Sequence, residues 1–307
     1  MSRRDEDFAE YMFTCSSHDY VMFFSNLGRV YRLKAYEVPE GSRTSKGMNI
    51  VNILPLSEGE KITAMLHVRS MDEDLNLCML TKKGIIKRTK LSAYNTARKG
   101  GIIAIDLDDD DELRWTVLTN GNDELLIATK KGMAIRFKEN DARLIGRTAR
   151  GVRAISLSDE KGDEVIGMAV VNNENTLLTV TETGYGRRSS FDDYRTQSRA
   201  GKGLINYHTE KYGDVAAVAG VSGDEDIILI SADGIVIRIP ADTVSTFNRP
   251  SKGVRVMRTG ENDRLVTMAL AAHEDETEAQ ESENSENSEN AETTETSDDQ
   301  IAEISEN

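Results

Sequence analysis

The chain has 307 residues, 38% of them hydrophobic, and a net charge of −15, room for one large domain or two small ones. No apolar run reaches the roughly 18 residues of a membrane span, and Met1-Ser2-Arg3-Arg4 leads into Asp5-Glu6-Asp7 rather than the apolar stretch of a secretory signal. The acidity is local: residues 274–307 hold 14 of the 53 acids and none of the 38 bases, leaving 39 acids against 38 bases in 1–273, and a balanced body can still carry a basic stripe.

In chain order, one plan repeats. In unit one, Tyr20 to Phe24 reads as a strand, Asn26-Leu27-Gly28 as a turn and Val30 to Leu33 as the return strand. Unit three is the clearest. A strand over Glu124 to Thr129 meets a turn at Lys130-Lys131-Gly132 and returns over Met133 to Phe137. After a loop at Arg147-Thr148-Ala149-Arg150, Gly151 to Leu157 alternates like a half-buried strand, and Val165 to Val171 makes a fourth. Unit five repeats the hairpin with Ile227 to Ile230, Ala232-Asp233-Gly234 and Ile235 to Ile239. No helix of three or more turns stands out. Ser282 to Asn290 is Ser-Glu-Asn three times over, so 274–307 is expected to be a disordered acidic tail. Two readings of it stay open: a solubilising appendage, or an internal competitor for a basic surface.

The period is set by glycines. The first of each unit is Gly28, Gly84, Gly132, Gly184 or Gly234, at spacings of 56, 48, 52 and 50, and the second is Gly47, Gly101, Gly151, Gly203 or Gly253. Repeats near 50 residues with four strands each predict an all-β, propeller-like array of about five to six blades. Its units run approximately 8–70, 71–121, 122–172, 173–222 and 223–273.

Cations follow the same period. Arg32, Arg88, Arg136, Arg188 and Arg238 each stand four residues after a first glycine. Four units carry Arg-x-x-Lys/Arg-Gly before the second glycine: Arg43 with Lys46, Arg147 with Arg150, Arg199 with Lys202, and Arg249 with Lys252, while unit two has Arg98-Lys99-Gly100-Gly101. Arg29, Lys34, Lys82, Lys83, Lys87, Lys90, Lys130, Lys131, Lys138, Arg153, Arg187 and Arg255 complete the basic set. Glycines let backbone amides approach phosphates and cations neutralise them. No aromatic interleaves these cations consistently, so the pattern suits sequence-tolerant contact with a duplex backbone rather than base stacking. Cross-strand salt bridging on the blades is the competing account. Acids show no matching register at the fifth position, which is Leu33, Thr89, Phe137, Ser189 or Ile239.

Enzyme signatures are scarce. His18, His67, His208 and His273 have no repeated partner, and Gly184-Tyr185-Gly186 lacks the third glycine of a dinucleotide loop. Asp108-Asp109-Asp110-Asp111-Glu112 lacks the spacing of a calcium loop and reads as a solvated turn. Cys15 and Cys78 lie in apolar segments and read as buried free thiols suited to a reducing cytoplasm.

Several stretches carry a family resemblance: Asp7-Phe8, His18-Asp19-Tyr20, Gly28-Arg29-Val30-Tyr31-Arg32-Leu33-Lys34 and Gly151-Val152-Arg153-Ala154-Ile155. On these the chain, over about residues 5–272, closely resembles the C-terminal domain of the bacterial DNA gyrase A subunit. The resemblance implies a β-pinwheel that wraps duplex DNA around a basic rim and supports ATP-dependent negative supercoiling by a holoenzyme. It also implies a bacterial cytoplasm, the rest of gyrase A and gyrase B as partners in an A2B2 assembly, and no cofactor for this chain, with ATP and Mg2+ used elsewhere. The family's box Gln-Arg-Arg-Gly-Gly-Lys-Gly is absent. Gln197-Ser198-Arg199-Ala200-Gly201-Lys202-Gly203 matches five of its seven positions. In relatives the box precedes the segment resembling residues 1–8, so Met1 is expected to be internal and the chain a fragment starting after the box. The C-terminal domain of topoisomerase IV is the near alternative, set against by the regularity of these repeats. A propeller-like protein-interaction module is the alternative from another class, disfavoured by an aromatic content of 6% placed mostly in strands.

Overall fold

The first glycine of each unit sets the hairpin on which that unit is built. In the computed structural model these glycines have φ between 70° and 83°, a region glycine enters without steric cost. The structure describes residues 14–41, 47–96, 98, 100–158, 162–260 and 262–273. The N-terminal Asp7-Phe8 and the acidic tail 274–307 lie outside these residues.

Unit one contains β1 (Tyr20–Ser25), β2 (Arg29–Lys34) and β3 (Ile62–Val68). Unit two contains β4 (Asn76–Thr81), β5 (Ile85–Lys90), β6 (Ile102–Ile103) and β7 (Leu113–Thr119). Unit three contains β8 (Glu124–Thr129), β9 (Met133–Lys138), β10 (Val152–Arg153) and β11 (Val165–Val170). Unit four contains β12 (Thr176–Thr181), β13 (Tyr185–Ser190), β14 (Leu204–Ile205) and β15 (Val215–Val221). Unit five contains β16 (Glu225–Ser231), β17 (Val236–Pro240), β18 (Val254–Arg255) and β19 (Leu265–Ala272). The longest helices among the described residues are the four-residue Leu91–Tyr94 and Thr209–Tyr212, and none of the helices is long and apolar enough to cross a membrane.

The blades are not the units. The sheets run β3-β1-β2-β6, β10-β5-β4-β7, β11-β8-β9-β14 and β15-β12-β13-β18, so the fourth strand of each comes from the following unit. The alternating stretch Gly151 to Leu157, expected as a strand of its own blade, is extended only at Val152–Arg153. It pairs instead with Ile86 and Ile85 of the preceding blade. This donated strand is the pinwheel connection. The fifth blade, β17-β16-β19, has three strands rather than the expected four. Among the described residues no following unit supplies the other.

Four of the second glycines, Gly101, Gly151, Gly203 and Gly253, let the donated strand approach the receiving blade closely, whereas Gly47, in the unit that donates no strand among the described residues, has open space around it. A Cβ on Gly203 would lie 2.3 Å from the carbonyl oxygen of Ala134, on the blade that receives β14, and Gly203 has φ 80°. Gly234 has a similar φ of 83° but nothing within 4 Å of its would-be Cβ. Gly203→Ala is therefore expected to cost clearly more than Gly234→Ala, whose penalty is the left-handed backbone alone, about 1–2 kcal/mol. Urea unfolding of the two variants measures the difference, and equal losses would remove the steric role of Gly203.

Consecutive blades pack face to face through apolar seams. Met22, Phe24, Leu77 and Met79 meet in the first, and Cys78, Leu80, Leu125 and Ile127 in the second. Leu126, Ala128, Leu177 and Phe191 meet in the third, and Leu178, Val180, Ile227 and Leu229 in the fourth. A central strand covered on both faces buries every residue, as β4 does. Burial pushes the Cys78 thiol up to about 12. Cys15, expected to be buried, is exposed because it precedes the first strand.

Candidate nucleic-acid interface

Four of the five periodic arginines, Arg32, Arg88, Arg136 and Arg188, hold blades together. Arg88 Nε donates to the Ala142 carbonyl at 2.9 Å, and its Nη1 reaches Asn140 Oδ1 and Glu139 Oε2. Arg136 Nη1 donates to Phe191 O at 2.8 Å, and Arg188 Nε to Val244 O at 2.7 Å. Arg32 binds Asn95 Oδ1 and Thr96 O. Each guanidinium thus clasps the short turn after the hairpin of the next unit. Backbone bonds reinforce the clasp, with Ile145 N, Gln197 N and Phe247 N donating to the carbonyls of Arg88, Arg136 and Arg188. Arg238, in the last blade, pairs with Asp226 at 2.6 Å instead.

For Arg32, Arg88, Arg136 and Arg188 the structure supplies another reason for the recurrence that the sequence suggested as a surface for a polyanion. In these four units the recurrence matches the repeated joint between blades, which Arg238 lacks. Cross-strand salt bridging also occurs, but the acid stands eight residues before the first glycine, at Glu124 and Asp226, rather than at the fifth position after it. Lys87 and Arg187, also expected on the rim, are 0% exposed. Lys87 Nζ donates to the carbonyls of Ala104 and Arg147, and burial lowers it to about 8. Arg187 donates to Asn206 and sits 4.8 Å from the Tyr207 ring centroid.

The Arg-x-x-Lys/Arg-Gly motif divides in the same manner. Its first arginine faces inward. Arg199 donates to the carbonyls of Asp141 and Arg153, and Arg249 to those of Asp193 and Ile205, tying each cassette to the preceding one. Arg147 is half-buried. The cation just before the glycine faces out: Arg150, Lys202 and Lys252 are exposed. Two residues after the glycine the donated strand presents Ile103, Arg153, Ile205 and Arg255 in successive units, all exposed.

Other cations are engaged locally. Lys82 pairs with Glu164, Lys83 with Asp110, Lys90 with Asp74, Lys130 with Glu182 and Lys131 with Asp214. Arg29 donates to the carbonyls of Gly100 and Gly101, and Lys34 to that of His18. Arg98 and Lys138 are exposed. Arg43, Lys46 and Lys99 lie outside the described residues.

One aromatic contact was not visible from the spacing of the cations. Lys252 Nζ lies 3.9 Å from the Tyr185 ring centroid, and Arg255 Nη2 donates to the Tyr185 hydroxyl at 2.7 Å. These two cations hold that hydroxyl below the ordinary tyrosine range, Arg255 contributing most. Tyr185 belongs to the hairpin of unit four and the cations to the cassette of unit five, so only the donated strand brings them together.

The outward set is therefore Arg150, Arg153, Lys202, Lys252 and Arg255, at homologous positions on the outer edges of successive blades. Swapped fourth strands and a cation-bearing outer edge define a pinwheel-type repeat domain. The family model described as "DNA gyrase C-terminal domain, beta-propeller" matches residues 19–69, 75–120, 123–172, 175–222 and 225–272, and the chain belongs to that family.

The DNA gyrase A protein of Staphylococcus epidermidis (strain ATCC 12228 / FDA PCI 1200) is 42% identical over 280 residues, 90% of this chain and 31% of that protein. Its counterpart in Staphylococcus aureus (strain NCTC 8325 / PS 47) is 41% identical over 282 residues, 91% of this chain and 32% of that protein. The chain thus spans about a third of the curated relatives it matches. A structure of the DNA gyrase A C-terminal domain aligns with TM-score 0.70 at 28% identity over 84% of each chain. The C-terminal domain of DNA topoisomerase IV aligns with TM-score 0.80 over 93% of this chain and 89% of that one, and at 22% identity it shows the fold alone.

Proposed function

We propose that this chain binds duplex DNA through phosphate contacts along its outer edge and bends it around the blades, as part of a gyrase A protein. The observation that carries this reading is the repetition of exposed cations next to the donated strand in units three, four and five. A row of cations on rigid edge strands favours a backbone path over a single point of contact. No step of bond chemistry is assigned to this chain. DNA cleavage and ATP use would belong to other parts of a gyrase assembly with gyrase B, in an A2B2 arrangement, where the bent DNA would support negative supercoiling.

Bending a 20–30 base-pair site costs about 1–6 kcal/mol, which distributed phosphate contacts must offset. The test is the affinity for random-sequence duplexes measured across salt concentrations. Log affinity should fall against log salt with a slope near −0.9 for each phosphate neutralised, and similarly for unrelated sequences. A flat salt response would refute the reading. A ligation assay that traps supercoils then separates bending from binding alone.

A further inference from the structure

Between β6 and β7 runs a loop that carries Asp106, Asp108, Asp109, Asp110, Asp111 and Glu112, expected from sequence to be no more than a solvated turn. The loop is fixed on two sides. Asp111, 8% exposed, accepts hydrogen bonds from the backbone N of Lys83 at 3.0 Å and of Glu112 at 2.9 Å, which holds the turn of the second hairpin. Asp163 and Asp263 hold the turns of units three and five in the same manner. On the other side, Asp106 N donates to the Ala149 carbonyl at 3.2 Å, stitching the loop to the basic cassette of unit three.

With the loop so anchored, two aspartates meet two cations, Arg150 of the outward set and Lys83 in the turn of the second hairpin. Arg150 donates both Nε, at 2.6 Å, and Nη2 to the two oxygens of Asp108, and Lys83 Nζ pairs with Asp110. Both carboxyls are held below the ordinary aspartate range by these cations. The contacts border a cleft of about 460 Å3 lined by Lys83, Asp108, Arg150, Arg153, Ser156 and Asp163 among others. A carboxylate in a guanidinium fork uses the same two parallel bonds as a phosphate. Asp109 stands exposed between the two aspartates, without a salt bridge among the described residues.

We propose that Asp108 and Asp110 occupy phosphate positions on the rim, so that DNA engages the cassette of unit three only by displacing them. The proposal rests on the phosphate-contact reading above and deepens it: this part of the edge carries its own competitor, so it binds DNA last and lets go first. An aspartate displaced from its cation loses an ion pair and is left beside the phosphates, so it offsets part of what the cation gains from DNA.

The test compares Asp108→Asn, Asp110→Asn and Asp109→Asn in the full chain, each losing one negative charge within three consecutive residues. Duplex affinity is measured from low to moderate salt. Asp108→Asn and Asp110→Asn should each tighten binding about fivefold at low salt, the order contributed by a well-aligned exposed pair. Asp109→Asn should change affinity less than about twofold. In an Arg150→Ala background the effect of Asp108→Asn should vanish. Equal effects of Asp108→Asn and Asp109→Asn, on a chain whose binding is salt-dependent, would overturn the competitor while leaving phosphate contact standing. A wild-type chain with no salt-dependent binding would overturn both.

Discussion

Arg88→Ala should lower the unfolding free energy by about 3 kcal/mol, the lower end of the range for breaking a buried ion pair from one side. Glu139, 0% exposed, would lose its one charged partner among the described residues while still accepting from Thr119 Oγ1 at 2.7 Å, Gly121 N at 2.7 Å, Asp123 N at 3.0 Å and Asn76 Nδ2 at 3.3 Å. Those four neutral donors are the reason to expect the lower end. The turn of unit three would also lose the Nε bond that fixes Ala142. Thermal and urea unfolding measure the loss. Arg88→Lys should recover only part of it, because one ammonium cannot span the partners of a guanidinium fork. A loss below about 0.5 kcal/mol, the size of an ordinary surface substitution, would refute the clasp.

The second large effect concerns the outer edge. Replacing Arg153, Lys202, Lys252 and Arg255 together by alanine should reduce duplex affinity by about two to three orders of magnitude near 0.1 M salt, and flatten the salt slope by roughly 3.6. The fold should tolerate the change, because the four side chains are exposed. Arg187→Met makes the contrast: its guanidinium is buried, so stability should change while the slope does not. If the quadruple variant binds like the parent, DNA follows another face.

These two variants also mark what the sequence could and could not show. The hairpins were legible because a positive-φ glycine between two alternating strands is a local signal, and the observed β8 matches its expected bounds from Glu124 to Thr129. The donation of β10 was not, since Val152 pairs with Ile86 across 66 positions and nothing within a unit says which neighbour it will join. The cations show the same divide. Spacing identifies Arg88 and Arg150 as periodic, but Arg88 turns into the joint and Arg150 outward. That choice is set by whether the residue lies under the turn of the next unit. Lys87 and Arg187 read as rim residues because a cation's burial depends on carbonyls, here those of Ala104 and Asn206, that come from a different part of the unit. Tyr185 was missed for the converse reason: its cationic neighbours lie 67 and 70 residues further along.

The donated strand also gives the chain an order in time. Synthesis runs from the N terminus, so a blade cannot be completed until the donor stretch of the next unit has been made. With 48 to 56 residues between first glycines and translation at about 5–20 residues per second, the newest blade waits several seconds with an open edge. An unpaired edge can recruit the wrong strand. During translation the wrong strand nearest at hand is the same edge on a neighbouring chain, so the growing end of each nascent domain is its point of greatest exposure to misassembly.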